Sequence, residues 1–223
     1  ASGNGPEHSV ILSGTPNRHL INRLAERLGE RFCEMELALC PNPALSSVLI
    51  QKSGIQTGAA SLSDFLTHLM SGRLPSMAGA RNASNFWSDW LTAFIDEIAG
   101  KILKTSHPRL FFQFMKELAS IAGEELNFSQ IAKSCGISSV TARTWFDALE
   151  DACVVKQIQP IQTSSRRPVK RSKLLFMDTG LAIYLSTLLS KEQLLASPSF
   201  KGLVFNEFAS SLLDQNMTSR QLL

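Results

Sequence analysis

Between Phe128 and Phe146 the sequence FSQIAKSCGISSVTARTWF sets small, apolar and turn-forming residues at the spacing of two short helices meeting at a tight corner. Ile131 and Ala132 predict the inner face of the first helix, with Ala132 small enough to let a second helix cross closely. Gly136 supplies the corner, because glycine alone takes a positive φ without steric cost. Ile137 is expected to plug the corner, Ser138 to cap the second helix, and Val140, Ala142 and Trp145 to face inward. Ser139, Thr141, Arg143 and Thr144 are left facing outward.

A basic segment follows. Val154 to Ile161 and Lys173 to Met177 are β-like runs, and the residues between them predict a hairpin with a long tip. No acidic residue lies between Asp151 and Asp178, whereas Lys156, Arg166, Arg167, Lys170, Arg171 and Lys173 do. The formal net charge is only +3, so the positive character is local. A helix-turn-helix followed by a basic two-stranded wing can set one helix in the major groove while the wing neutralises phosphates. Ser139, Thr141, Arg143, Thr144, Arg166, Arg167, Lys170, Arg171 and Lys173 are therefore the candidate nucleic-acid-binding residues. Among the helix residues only Arg143 can grip guanine bidentately, so double-stranded DNA would be bound with low sequence specificity. The same residues fit a second reading, in which the basic loop reaches an acidic protein surface or the nucleotide phosphates of a neighbouring module. Asp178 either pairs with Lys173 or caps a helix beginning near Leu181, and the cap is the preferred reading.

The remaining periodicities give an α+β chain, mainly helical. Val10 to Leu12 reads as a strand, Asn17 to Leu28 as a helix and Phe32 to Leu39 as a second strand, which together predict an α/β segment. Residues 42–62 form a Ser- and Gly-rich linker. Helices are predicted over Ser63 to Met70, Asn85 to Leu103, Pro108 to Ala122, Gly180 to Leu189 and Gly202 to Leu213. Phe86, Trp90, Phe94, Ile98 and Ile102 form the inward stripe of the second of these, and Phe111, Phe114, Met115, Leu118 and Ala119 that of the third. Cys33, Cys40, Cys135 and Cys153 form no C-x-x-C pair, which argues against a zinc site or a disulfide framework and favours a cytoplasmic location. No apolar run approaches the roughly 20 residues of a membrane span. The chain begins Ala1-Ser-Gly without an initiator methionine and is read as a piece of a longer protein.

Several stretches together resemble the domain of unknown function that follows the ATPase module in prokaryotic AAA+ superfamily ATP-binding proteins. Gly72-Arg-Leu-Pro75 resembles that domain's opening Gly-Gly-x-Pro turn, and Leu126-Asn-Phe-Ser129 its entry to the helix-turn-helix. Trp145 through Glu150 resembles its Trp-x-x-x-Leu-Glu, and Gly202-Leu-Val-Phe205 its closing Gly-x-x-Phe. Lys173-Leu-Leu-Phe-Met-Asp-Thr-Gly-Leu181 resembles its Lys-x-x-Phe-x-Asp-Thr-Gly-Leu, the most specific match. The resemblance implies residues 1–41 as the end of an ATPase module, 63–200 as a helical domain with a winged helix (helix-turn-helix 128–150, wing 154–177), and 201–223 as the start of a nuclease-like region. It also implies Ser13, Thr15 and Arg31 as nucleotide-sensing residues, although Ser13 and Thr15 equally suit a polar strand-end turn.

Catalysis by this chain alone is not expected. Gly100-Lys101 lacks the first glycine and the hydroxyl of a phosphate-binding loop, and Phe94-Ile-Asp-Glu97 has helical rather than strand periodicity. His8, His19, His68 and His107 are dispersed, with no metal-ligand spacing. The chain is thus expected to carry no cofactor, with ATP and magnesium belonging to an intact parent. Its expected function is that of an accessory region coupling nucleotide state to DNA or to a protein partner, with the parent's ATPase module as one contact and no membrane. The alternatives are a stand-alone winged-helix DNA-binding module of regulator type and a protein-interaction domain without nucleic acid.

Overall fold

The computed structural model describes residues 26–27, 61–74, 82–103, 105, 107–160 and 171–220. The strands and linker expected before residue 61, and most of the hairpin tip, lie outside the described residues. In chain order the elements are α1 (Leu62–Ser71), α2 (Ala83–Ile95), which runs on into a π-helical turn (Asp96–Ile102), α3 (Pro108–Ser120), α4 (Phe128–Cys135) and α5 (Ser139–Asp151). Then come β1 (Val155–Ile158), β2 (Lys173–Phe176), α6 (Thr179–Leu185), α7 (Lys191–Ala196) and α8 (Phe200–Arg220). The described fold is mainly helical with a small two-stranded sheet.

Local chemistry sets most of the boundaries. Ser61 and Asp64 form a reciprocal capping box at α1. Asn82 caps α2, Pro108 opens α3, and Asn127 caps α4 through Gln130 N–H. Gly136 ends α4 in the left-handed conformation at φ 66°, and Ser138 caps α5 by accepting from Thr141 N–H at 3.0 Å. The corner read from Phe128 to Phe146 is therefore present, with Ile131 and Ala132 buried and Ile137 packed at the margin of the core.

One residue of that corner is placed differently. Val140, expected to face inward, is 77% exposed. The inward stripe of α5 is Ala142, Trp145, Phe146 and Leu149. Val140 precedes Ala142 by two residues, a turn of about 200° around the helix, so both cannot share a face. The stripe of α2 is also shifted: Trp87 and Leu91 are its buried residues, while Phe86, Trp90 and Phe94 pack at the core's edge. Ile98 and Ala99, in the π-helical turn, rejoin the core. Phe94 to Glu97 thus passes from α-helix into the π-helical turn and is no strand end.

α3 is the centre of the domain, and Phe111, Phe114, Met115, Leu118 and Ala119 are all fully buried, as the periodicity predicts. Trp145 of α5 meets Phe111 and Phe114 edge to face at 5.5 and 5.7 Å between ring centroids. Burying each such side chain contributes about 1.5–3 kcal/mol. β1 and β2 pair antiparallel, Val155 opposite Phe176 and Ile158 opposite Lys173. Residues 123–126 run along the other edge of β2: Gly123 N–H donates to Leu174 O, Leu174 N–H to Glu124 O, and Leu126 N–H to Ser172 O. The segment between α3 and α4 is thereby pinned to the hairpin that follows α5.

α8 closes the same core. Leu203 is fully buried, and the Asn206 side chain accepts from Phe176 N–H at 2.7 Å while donating to Phe176 O and Thr179 Oγ1. The chain before α3 is held as tightly, because Gly72 at the end of α1 lies against Gly180 in α6. A β-carbon at Gly180 would sit 2.6 Å from Gly72 Cα, and one at Gly72, where φ is +84°, would sit 2.4 Å from Asp178 Oδ1.

Candidate nucleic-acid interface

The outer side of the helical corner and the root of the hairpin share one pocket. Arg143, on the second turn of α5, lays its guanidinium 4.0 Å above the ring of Phe128 at the start of α4. Phe128 in turn packs edge to face on the buried Phe146 at 5.2 Å. Arg143 Nη1 donates to Gln157 Oε1 on β1 at 3.3 Å, and Gln157 Nε2 donates to Ser172 Oγ at 2.6 Å. Glu150 fixes that strand by accepting from Gln157 N–H at 3.0 Å. An exposed cation over an aromatic face contributes about 0.5–1 kcal/mol, enough to orient Arg143 while leaving it free to accept another partner. The resulting pocket, about 520 Å³, is lined by Leu126, Asn127, Phe128, Ser129, Arg143, Gln157, Gln159, Arg171 and Ser172.

The candidate residues therefore separate. Arg143 and Arg171, 28 positions apart, face one concavity. Ser139 is exposed at the first turn of α5. Thr141 is engaged with Ser138, Oγ to Oγ1, at 2.8 Å, and the Thr144 hydroxyl donates back to Val140 O, so both serve the helix itself. Lys173 turns inward: its Nζ donates to Gly123 O at 2.8 Å and lies 4.6 Å above the Phe205 ring. Arg166, Arg167, Lys170, Ser13, Thr15 and Arg31 lie outside the described residues. Gln157 and Gln159 were not singled out from the sequence, which marks Phe128 and Ser129 only as the entry to the helical corner. The alternation of polar residues at positions 157, on β1, and 159, just past its end, was the available signal.

The far half of α5 is chemically different. Asp147 shares the face of Arg143, one turn further on, and Glu150 and Asp151 follow. Burial pushes the Asp147 carboxyl upward, the Arg143 charge opposes this, and Glu150 and Asp151 add to the rise. On α5, positive charge is thus confined to the first two turns.

A second polar cluster is buried, and sequence reasoning missed its centre. Arg73, 2% exposed, donates to Met177 O, to Ser210 Oγ at 3.0 Å and to Ser211 Oγ at 3.3 Å, and its Nε lies 3.8 Å from Glu207 Oε1. Asp178 caps α6 by accepting from Gly180 N–H at 2.8 Å, and it also accepts from Arg73 N–H at 2.7 Å and Leu74 N–H at 3.1 Å. The expected cap is therefore present, and Lys173 is not its partner. Burial raises the Asp178 carboxyl, against the Arg73 N–H bond, the Arg73 charge and the Gly180 N–H bond, while Glu207 adds to the rise. Desolvation likewise lowers the nearby His68 imidazole, with Glu207 opposing and Arg73 assisting. Enclosed on all these sides, the cluster joins α1, β2, α6 and α8. The turn at Gly72 and the Asp178-Thr-Gly180 stretch, about a hundred residues apart in sequence, are two halves of one junction.

Among the described residues there is no grouping of three or more His, Cys, Asp or Glu able to hold a metal ion, and no helix long and apolar enough to cross a membrane. Burial, and secondarily Glu117, pushes the Cys135 thiol up to about 11, so it behaves as a packing residue.

The chain is 28% identical over 151 residues to the uncharacterized proteins Mb2031c of Mycobacterium bovis and Rv2008c of Mycobacterium tuberculosis, an alignment covering 65% of this chain and 34% of each relative. It thus spans about a third of the length of the curated relatives it matches. No solved structure matches it at a significant level. The family model described as Domain of unknown function (DUF8612) matches residues 62–192, from the first helix of the domain to the start of α7 and across the whole of the corner and hairpin, and the chain belongs to that family.

Proposed function

We propose that this domain binds double-stranded nucleic acid, with α5 and the β1–β2 hairpin as a winged helix and phosphates as the main target. The observation that carries the reading is the convergence of Arg143 from α5 and Arg171 from the hairpin on one pocket that also holds Gln157, Gln159 and Ser129. The order of elements supports it: helix α3, a paired segment at 123–126, helices α4 and α5, then a hairpin, with Ser139, Val140, Arg143 and Thr144 of the corner's second helix exposed among the described residues. Arginine neutralises phosphate, and glutamine and serine donate to phosphate oxygens or base edges. The acidic end of α5 limits contact to its first two turns. Few base-reading side chains remain there, so sequence specificity is low.

The resemblance of its motifs to AAA+ superfamily ATP-binding proteins supports, within our proposal, the role of an accessory region of a longer cytoplasmic parent that couples nucleotide state to DNA or a protein partner. ATP and magnesium would then be held elsewhere in the parent.

The test is the salt dependence of binding to a fluorescently labelled 20-base-pair duplex. Arg143→Ala and Arg171→Ala are each expected to reduce the slope of log K against log salt by about 0.9, the value for one lost phosphate contact. Slopes unchanged in both variants would remove this pocket from any interface with DNA.

A further inference from the structure

Val140 is the most exposed large hydrophobic side chain among the described residues, at 77%, and it stands on the first turn of α5. Its position is not accidental to the fold. The backbone there is held by the Ser138 cap, and Thr144 Oγ1 donates to Val140 O at 3.1 Å. Val140, Arg143 and Thr144 follow the i, i+3, i+4 spacing and so lie on one helix face, which looks away from the core formed by Ala142, Trp145 and Phe146. An apolar, β-branched side chain standing beside a fixed arginine at the opening turn of a groove-facing helix has one chemically apt partner on duplex DNA. The thymine 5-methyl group is the apolar feature of the major groove, and residues near the start of such a helix reach base edges.

We infer that Val140 is a specificity-determining residue that packs against thymine methyl groups in the major groove, giving the domain a preference for A·T-containing sites. The inference rests on the proposed DNA-binding role and deepens it. Arg143 and Arg171 supply the phosphate attraction that does not depend on sequence, and Val140 supplies a contact that does. The Thr144 methyl, left outward once its hydroxyl has turned to the backbone, extends the same apolar strip.

The experiment compares an A·T-rich 20-base-pair duplex with the same duplex in which every thymine is replaced by deoxyuridine, a change that deletes only the 5-methyl groups. The wild-type chain is expected to bind the thymine duplex about fourfold more tightly for each methyl group contacted, the equivalent of one buried methylene. Val140→Ala should lessen the preference for the thymine duplex, with an unchanged salt slope, and Val140→Thr, which keeps one γ-methyl, should fall between it and the wild type. Being so exposed, the residue can be changed without loss of the fold, which circular dichroism would verify. Equal wild-type affinity for the two duplexes with a steep salt slope overturns the role of Val140 and leaves the DNA reading standing. A Val140→Ala variant that still discriminates the duplexes as the wild type does also overturns it. Absence of binding to either duplex overturns both.

Discussion

Replacing Arg73 with methionine is expected to cost about 3–5 kcal/mol at pH 7, the penalty for removing one partner from a buried ionic cluster. The size follows from what is left behind. Asp178 and Glu207 are 6% and 1% exposed, and the guanidinium that lies beside Glu207 and bonds Met177 O, Ser210 and Ser211 would be gone. Lysine should not restore stability fully, because a single ammonium cannot reach that many acceptors in one plane. The deficit has a pH signature whose sign is fixed. Arg73 lowers the Asp178 carboxyl against the rise caused by burial, so its loss raises that carboxyl further. A carboxyl raised in the folded state favours folding while both states are protonated, below about pH 4, and that favour is lost as pH rises through the folded value. Measured by urea denaturation against the parent at each pH, the Arg73→Met deficit should therefore be smallest near pH 4 and grow as pH rises. Adding Asp178→Asn to Arg73→Met should recover part of the loss at pH 7. A deficit under about 1 kcal/mol at pH 7 would show that the cluster is not what joins α1 to α6 and α8.

Converting Arg166, Arg167, Lys170 and Arg171 together to alanine carries the second large effect, this time on binding. If each neutralises one phosphate, the salt slope falls by about 3.6, so between 50 and 200 mM salt the parent loses about a hundredfold more affinity than the variant. The folded core should be untouched, because Arg171 is exposed and the four positions lie beyond the paired residues of β1 and β2. An unchanged slope, with the duplex still bound, would place the phosphate contacts on another surface.

The corner was legible because its requirements are local. A glycine at the turn, a serine at the cap and small apolar residues at helical spacing each have a single physical reason to stand where they do, and Gly136, Ser138, Ile131 and Ala132 occupy the expected places. The core stripe of α3 was legible for the same reason. Val140 was misplaced because hydrophobicity stood in for helical phase, and the angle between positions 140 and 142 decides against it. The Arg73 cluster was not legible at all. Its members come from positions 73, 177, 178, 207, 210 and 211, and nothing in local periodicity brings an arginine from a turn onto α8. The inward turn of Lys173 is the same kind of case, since Gly123 O and the Phe205 ring are brought to it by tertiary packing alone. In the pocket, Arg143 and Arg171 were individually identified, but their meeting depends on the hairpin register that sets Gln157 against Leu174.

Backbone amide shifts in a heteronuclear NMR titration with a 20-base-pair duplex test most directly whether the corner and the hairpin form one DNA-facing surface. The expected result is a contiguous set of salt-sensitive shifts at Ser129, Ser139, Val140, Arg143, Gln157, Gln159 and Arg171, with Leu194 and Leu203 unmoved. Shifts confined to α7 and α8, or none at low salt, would contradict it.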